Sequence, residues 1–217
     1  MAEINLLHRY PRSKRNIAAR HAVQDQYREV ARQYGREYFD GPREMGYGGY
    51  RYDGRWIPIA ETFRDHWHLK AGDRVLDIGC AKGFLVKDLM IVCPGLEVFG
   101  LDISEYGLNN AEAEAKGRLV RGTAADLPFP DASFRAAISI NTIHNLDRPE
   151  AVRAVREMQR VAPQGAYIQV DSYRTPEERE HFLQWVLTAR THYDPSGWKQ
   201  LFDEAGYTGD YYWTITE

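Results

Sequence analysis

The sequence predicts an α/β fold: a doubly wound, mainly parallel sheet of six to seven strands with helices on both faces and an N-terminal helical and lid extension. Three observations lead there. Apolar runs of five to eight residues alternate with amphipathic stretches from residue 57 onward, the pattern of strands joined by crossover helices. A turn with small residues at every second position, "LDIGCAKGFL" (76–85), follows the first of these runs. The second run ends in an acid, Asp102, 19 residues beyond Gly83.

Taken in order, "NIAARHAVQDQYREVARQYGREYF" (16–39) reads as one helix, because Ala18, Ala22, Val30 and Tyr34 recur near helical spacing among polar residues. The stretch "DGPREMGYGGYRYDGRW" (40–56) reads as a flexible aromatic loop, its glycines opposing regular structure while its tyrosines and Trp56 supply contact surface. A helix follows from Ile57 to about Leu69. Strands are expected at 73–79, 96–103, 118–122, 134–141 and 165–173, with helices at 83–91, 104–116 and 148–161 between them. An amphipathic stretch at 176–193, a short helix around 198–205 and a last strand, "YYWTIT" (211–216), complete the chain. The division expected is 1–56 for the helix and lid and 57–217 for the sheet domain.

Composition narrows the function classes. The 217 residues, 43% hydrophobic, suffice for one sizeable core. A net charge of −3 gives no global footprint for nucleic acid, which is expected not to be a partner. Charge is uneven: residues 1–60 hold 11 Lys and Arg against 7 Asp and Glu, and the remainder is acidic. No apolar run approaches the roughly 20 residues that span a bilayer, and the N-terminus lacks a secretory apolar segment, so a cytoplasmic chain without a membrane partner is expected. Cys80 and Cys93 match neither a zinc nor a disulfide pattern and read as reduced thiols. His66 and His68, two apart on a helix, point to opposite sides, and no metal is expected.

In a doubly wound sheet, ligands bind beyond the C-terminal strand ends, where small residues let main-chain N–H groups approach a polar ligand. An acid ending the next strand can accept from both hydroxyls of a ribose. Asp102 fills that place, so the turn and Asp102 together read as a nucleoside site.

Four ordered blocks, "VLDIGCAKG", "GLDIS", "GTAADLPFPDASF" and "AAISINTIHNL", followed by "EMQRVAPQGAYIQVDSY", resemble the class I S-adenosylmethionine-dependent methyltransferases over roughly residues 70–175. The resemblance implies S-adenosylmethionine as cofactor. It implies that Asp77, Gly79, Cys80, Ala81 and Gly83 form the turn holding its methionine half, that Asp102 accepts from the ribose, and that Ile103 lies beside the adenine. Thr123, Ala124 and Ala125 become the adenine edge, and Asn141 closes the pocket. Ala81 stands where the family carries its middle glycine, narrowing the space for the ligand by one methyl without forbidding a negative φ. Thr123 stands where many relatives have an acid, and a seventh strand is in doubt.

For the transfer itself, His144 is placed where the acceptor should be, either as a base or bonded to neighbouring backbone. Asp171, Tyr173 and Arg174 after the fifth strand are expected on the same rim, orienting the acceptor. Tyr47, Tyr50, Arg51 and Tyr52 are the expected lid contacts, and Arg43, Arg51 and Arg55 suit a carboxylate or phosphate. The expected function is methyl transfer to a hydroxyl or amine of a small, anionic, sugar- or phosphate-bearing metabolite. The alternatives are C-methylation of a quinone-type ring and a non-catalytic S-adenosylmethionine-binding partner protein; the oligomeric state is left open.

Overall fold

The computed structural model describes residues 1–11 and 16–216. The sheet is built from β1 (Arg74–Ile78), β2 (Glu97–Asp102), β3 (Leu119–Arg121), β4 (Ala136–Ile140), β5 (Ala166–Ser172) and β6 (Asp210–Ile215). Among the described residues these six strands form one sheet in the order β3-β2-β1-β4-β5-β6, every pair parallel. The order reverses between β1 and β4, which is where an open α/β sheet leaves a crevice at its C-terminal edge.

The strands are apolar because both faces are covered. On one face lie α7 (Arg148–Val161) and α9 (Pro195–Ala205), packed on Ile168, Val170 and Trp213. On the other lie α4 (Ile57–Trp67) and α5 (Phe84–Val92), packed on Val75, Ile138 and Tyr167. In α7 the buried residues Ala151, Val152, Ala154, Val155, Met158 and Val161 form one stripe, and the Asp147 carboxylate caps the helix by accepting from the Glu150 N–H.

The single helix expected at 16–39 is three short ones, α1 (Ile17–His21), α2 (Gln24–Ala31) and α3 (Arg36–Asp40). The chain turns at Tyr34, whose φ is +49°, and the Tyr34 carbonyl accepts from the Ser104 hydroxyl instead of continuing the helix. The helix expected at 104–116 shrinks to α6 (Glu105–Asn109), ended where the Asn110 amide donates back to the Tyr106 carbonyl. The stretch 176–193 is helical only as α8 (Pro176–Trp185), because the Gln24 side chain from α2 takes the Leu183 and Val186 carbonyls at 2.6 and 2.5 Å.

The loop at 40–56 is less irregular than expected: a 3-10 turn covers Arg43–Met45, and Tyr47, Gly49 and Tyr50 donate their N–H groups to the Tyr38 and Phe39 carbonyls. No seventh strand lies among the described residues. Residues 2–4 extend the sheet instead, with Ile4 N–H donating to the Tyr211 carbonyl and Tyr211 N–H to Ala2, a parallel bridge on the outer edge of β6. The basic residues Arg12, Lys14 and Arg15 lie outside the described residues.

Candidate active site

β1 ends in a turn whose backbone is left-handed at alternate positions: φ is +85° at Gly79, +52° at Ala81 and +72° at Gly83. Gly79 has no alternative, since a Cβ there would stand 1.9 Å from the Thr142 hydroxyl oxygen. A negative φ is open to Ala81, and the structure holds the positive one. Its left-handed conformation, held against its own Cβ, aims the Ala81 N–H at the Asp102 Oδ2, 2.7 Å away. The other oxygen, Oδ1, accepts from the Ser104 N–H at 2.7 Å. Turn and acid form one unit, and the carboxylate keeps lone pairs for further donors.

Burial pushes the Asp102 carboxyl up against these N–H bonds. Asp77, beneath the turn and 5% exposed, is raised to about 7 by burial and by the nearby Asp102 charge. At the end of β4, Asn141 also has positive φ, +54°. Strained backbone on both sides of the β1/β4 crevice is the kind of geometry a ligand site holds in place.

Two cavities meet at this crevice, sharing Gly79, Ala81, Ile140, Asn141 and Tyr47. The smaller, about 410 Å³, is lined by Asp102, Ile103, Thr123 and Ala124, with Tyr34 and Tyr38 closing it from the N-terminal extension. Ile103 is 56% exposed, an apolar side chain at the cavity beside an acid able to hold a diol. An adenosine fits that pairing: a flat ring for Ile103 and two hydroxyls for Asp102. The larger cavity, about 960 Å³, is lined by Asp77, Cys80, Tyr50, Trp56, Gln169 and Arg174, among others.

Of the expected cofactor residues, the structure brings together Asp77, Gly79, Cys80, Ala81, Asp102, Ile103, Thr123, Ala124 and Asn141. Gly83 starts α5 and packs on Ala115, and Ala125 packs against the core; neither lines a cavity.

The expected acceptor residues divide differently. His144 is not on the rim: it is 3% exposed, lines neither cavity and accepts the Asp171 N–H at Nδ1, 3.3 Å away. Its carbonyl takes the Arg190 and Thr191 N–H groups, so the segment after α8 seals it in. Burial lowers its pKa, outweighing the Asp171 carboxylate 3.9 Å away. Asp171 is buried with it, and Tyr173 packs against Phe182 beneath Arg179. Arg174 lines the larger cavity as expected, facing Glu3 at 3.5 Å.

In the loop, Tyr47 and Tyr50 line the cavities, with Tyr50 stacked on Phe84 at 4.5 Å. Tyr52 points away, its hydroxyl donating to the Asp88 carboxylate at 2.6 Å, and Arg51 lines neither cavity. Arg55 clasps Asp53, and Arg43 donates to the Gly46 and Tyr47 carbonyls. The three arginines that suggested an anionic acceptor are thus outside the cavity walls.

Sequence reasoning missed two walls. Asn5, Leu7, His8 and Tyr10 line the larger cavity because residues 2–4 are strapped to β6. Gln169 was hidden inside a strand; its only signal was a polar residue in "AYIQVDS", where both faces should be apolar.

Residues 76–170 match the family model described as a methyltransferase domain. The 2-phytyl-1,4-naphtoquinone methyltransferase of Synechococcus elongatus is 39% identical over 135 residues, 55% of this chain and 57% of that protein. Demethylmenaquinone methyltransferase of Symbiobacterium thermophilum is 34% identical over 122 residues, 49% of this chain and 46% of that one. The chain spans about half the length of these curated relatives. The crystal structure of the YcgJ protein of Bacillus subtilis superposes with a TM-score of 0.53 at 24% identity, over 67% of this chain and 66% of that one, a likeness of fold. A glycine turn locked to a strand-end acid at a sheet's switch point is common to several nucleoside-binding folds. With the family match over the same strands, it identifies residues 76–170 as a class I, Rossmann-like, S-adenosylmethionine-dependent methyltransferase domain.

Proposed function

We propose that the chain transfers the methyl group of S-adenosylmethionine to a hydroxyl or amine of a small molecule held in the larger cavity. The observation that carries this reading is the junction of the two cavities at Gly79, Ala81 and Asn141, which gives a nucleoside lobe and an acceptor lobe one shared wall. Held by Asp102 and Ile103 in the nucleoside lobe and by the turn at 79–83, S-adenosylmethionine would supply a methyl group already activated by its sulfonium charge.

The chain's own residues bind, orient and exclude water, which is the main task when the donor is already activated. Asp102 and Ile103 hold the nucleoside. Residues 1–56 act as a cover over the domain 57–217, with Tyr47 and Tyr50 closing the junction. Transfer to a ring carbon is the second reading, favoured by the two quinone methyltransferases among the similar proteins. The test is calorimetric binding of S-adenosylmethionine, followed by mass-resolved methyl transfer from labelled cofactor into a metabolite extract. Saturable binding with a labelled product is expected. Absence of binding by the folded chain overturns the reading, and binding without any product leaves the non-catalytic alternative in its place.

A further inference from the structure

The larger cavity contains one buried polar group that the fold leaves half used. Gln169, on β5, is 3% exposed. Its amide nitrogen donates to the Thr214 hydroxyl on the adjacent strand β6, while its Oε1 has no hydrogen-bond partner. Side chains alternate along a strand: Ile168 and Val170 join the core beneath α7 and α9, so Gln169 faces the opposite side with Tyr167. On that face it lies in the cavity floor with Ile140, Tyr212 and Thr214. A buried carbonyl oxygen without a donor is costly, and a ligand that supplies one recovers that cost.

The walls around this oxygen are aromatic. Tyr10 and Trp56 meet at 4.6 Å between ring centroids, and Tyr47 and Tyr50 at 4.4 Å. Among the described residues of the wall, positive charge is scarce. Arg174, exposed at the rim, faces Glu3 and shares the cavity with Glu178, and the His8 ring nitrogen is bonded to the Asn5 carbonyl. A phosphate or carboxylate would meet Glu178 with no buried cation among the described residues of the wall to offset it.

We propose, resting on the methyltransferase reading above, that the acceptor is a neutral aromatic molecule carrying a ring hydroxyl or ring N–H that donates to Gln169 Oε1. Its ring lies among Tyr10, Trp56, Tyr47 and Tyr50. Thr214 holds the other end of the amide, so the side chain is fixed in one orientation at the cavity floor. Gln169 is a positioning residue that selects for the donor; an acceptor lacking it leaves the oxygen unpaired, which is how a buried polar group rejects an analogue.

The test measures binding of 1-naphthol, catechol and indole to the full chain saturated with S-adenosylhomocysteine, by calorimetry. Glucose 1-phosphate serves as the anionic probe, and 1-methoxynaphthalene, 1,2-dimethoxybenzene and 1-methylindole as the methylated, donor-free probes. At least one aromatic is expected to bind saturably, and its methylated form about tenfold more weakly, the loss of one hydrogen bond to a buried acceptor. In Gln169→Leu that aromatic is expected to weaken by about the same factor and the methylated form to lose nothing, so the two converge, while cofactor affinity stays at the wild-type value. A merely structural role for Gln169 would weaken both forms equally. Binding of glucose 1-phosphate in preference to the aromatics, no aromatic binding, or equal binding of parent and methylated forms to the wild type overturns the proposal. Failure of S-adenosylhomocysteine to bind, with the aromatics still bound, overturns the methyltransferase reading and leaves the acceptor site standing.

Discussion

The Lys82 ammonium stands 2.7 Å from the Asp40 carboxylate and 2.9 Å from the Tyr50 carbonyl, tying the glycine turn of the cofactor site to the segment that covers it. Asp40 also accepts from the Tyr106 hydroxyl and the Tyr50 N–H. Burial raises the Asp40 carboxyl, but these bonds from Lys82 and Tyr106 outweigh it and hold the group below its ordinary value. The clasp therefore joins the cover, the turn and α6 at one carboxylate.

Lys82→Ala should free the cover without emptying the core. The lost charge-assisted bonds correspond to about 2 kcal/mol, since Asp40 keeps Tyr106 and one backbone donor. Urea unfolding should show that loss, and amide exchange should accelerate at 40–50 more than in β1 or β4. Uniform acceleration across the chain would mean that the pair holds the whole domain instead.

Asp102→Ala should weaken S-adenosylmethionine by about one to two orders of magnitude, from hydroxyl bonds to a carboxylate worth roughly 1.5–3 kcal/mol. The Ala81 and Ser104 N–H groups lose their acceptor in the same variant, so Asp102→Asn, which keeps one carbonyl oxygen for them, should fall between. Calorimetry on both variants checks the order. Equal affinities for wild type and Asp102→Ala would remove Asp102 from the nucleoside site.

The parts of this site that were legible in the sequence are those made by neighbours in the chain or by correlated strand ends. The turn at 79–83 follows its strand directly, and Asp102 is set by the next strand's length. The walls that were not legible depend on distant pairings. Residues 2–4 reach β6 some two hundred positions later, and nothing in "AEINLL" announces an added edge. His144 lies just past β4 as expected, but its burial depends on Arg190 and Thr191 donating to its carbonyl across the end of α8. The break of the first helix at Tyr34 is likewise decided by a hydroxyl on Ser104, since tyrosine carries no local signal for a left-handed turn.

Asp77 makes apo stability fall with pH. Its folded value, raised to about 7 by burial and the Asp102 charge, lies above an unfolded value of about 3.9. Between these limits the folded state holds a proton that the unfolded chain has released, so the stabilisation is full below the lower limit and is lost as pH rises to the upper one. The effect is on the order of a few kcal/mol. Asp77→Asn should flatten this slope. Urea midpoints of both proteins at about pH 5 and about pH 8 check it, the difference between variants isolating Asp77 from His144, whose lowered pKa acts in the opposite sense. Identical slopes would place the titration elsewhere.

The turn's two small residues should respond in opposite ways to exchanging glycine and alanine. Ala81 holds a φ of +52° against its own Cβ, a conformation costing roughly 1–2 kcal/mol for an L-residue. Ala81→Gly removes that cost and adds back about 0.4–1 kcal/mol of unfolded-chain entropy, so the variant should be neutral to slightly more stable. The Ala81 N–H to Asp102 is unaffected, and cofactor affinity should be retained. Gly79→Ala meets the reverse situation. Its φ of +85° is strained for alanine, and the new Cβ would lie 1.9 Å from the Thr142 hydroxyl oxygen and 2.8 Å from the Thr142 Cβ. Relief requires β1 and the segment after β4 to separate at the very junction of the two cavities, so stability and cofactor affinity should fall together, stability by about 2–4 kcal/mol. Thr142→Ala in the Gly79→Ala background removes the hydroxyl and should recover part of the loss. Thermal unfolding and calorimetry on the three variants check the pattern, and a Gly79→Ala protein as stable as wild type would show that the crevice opens more readily than its packing implies.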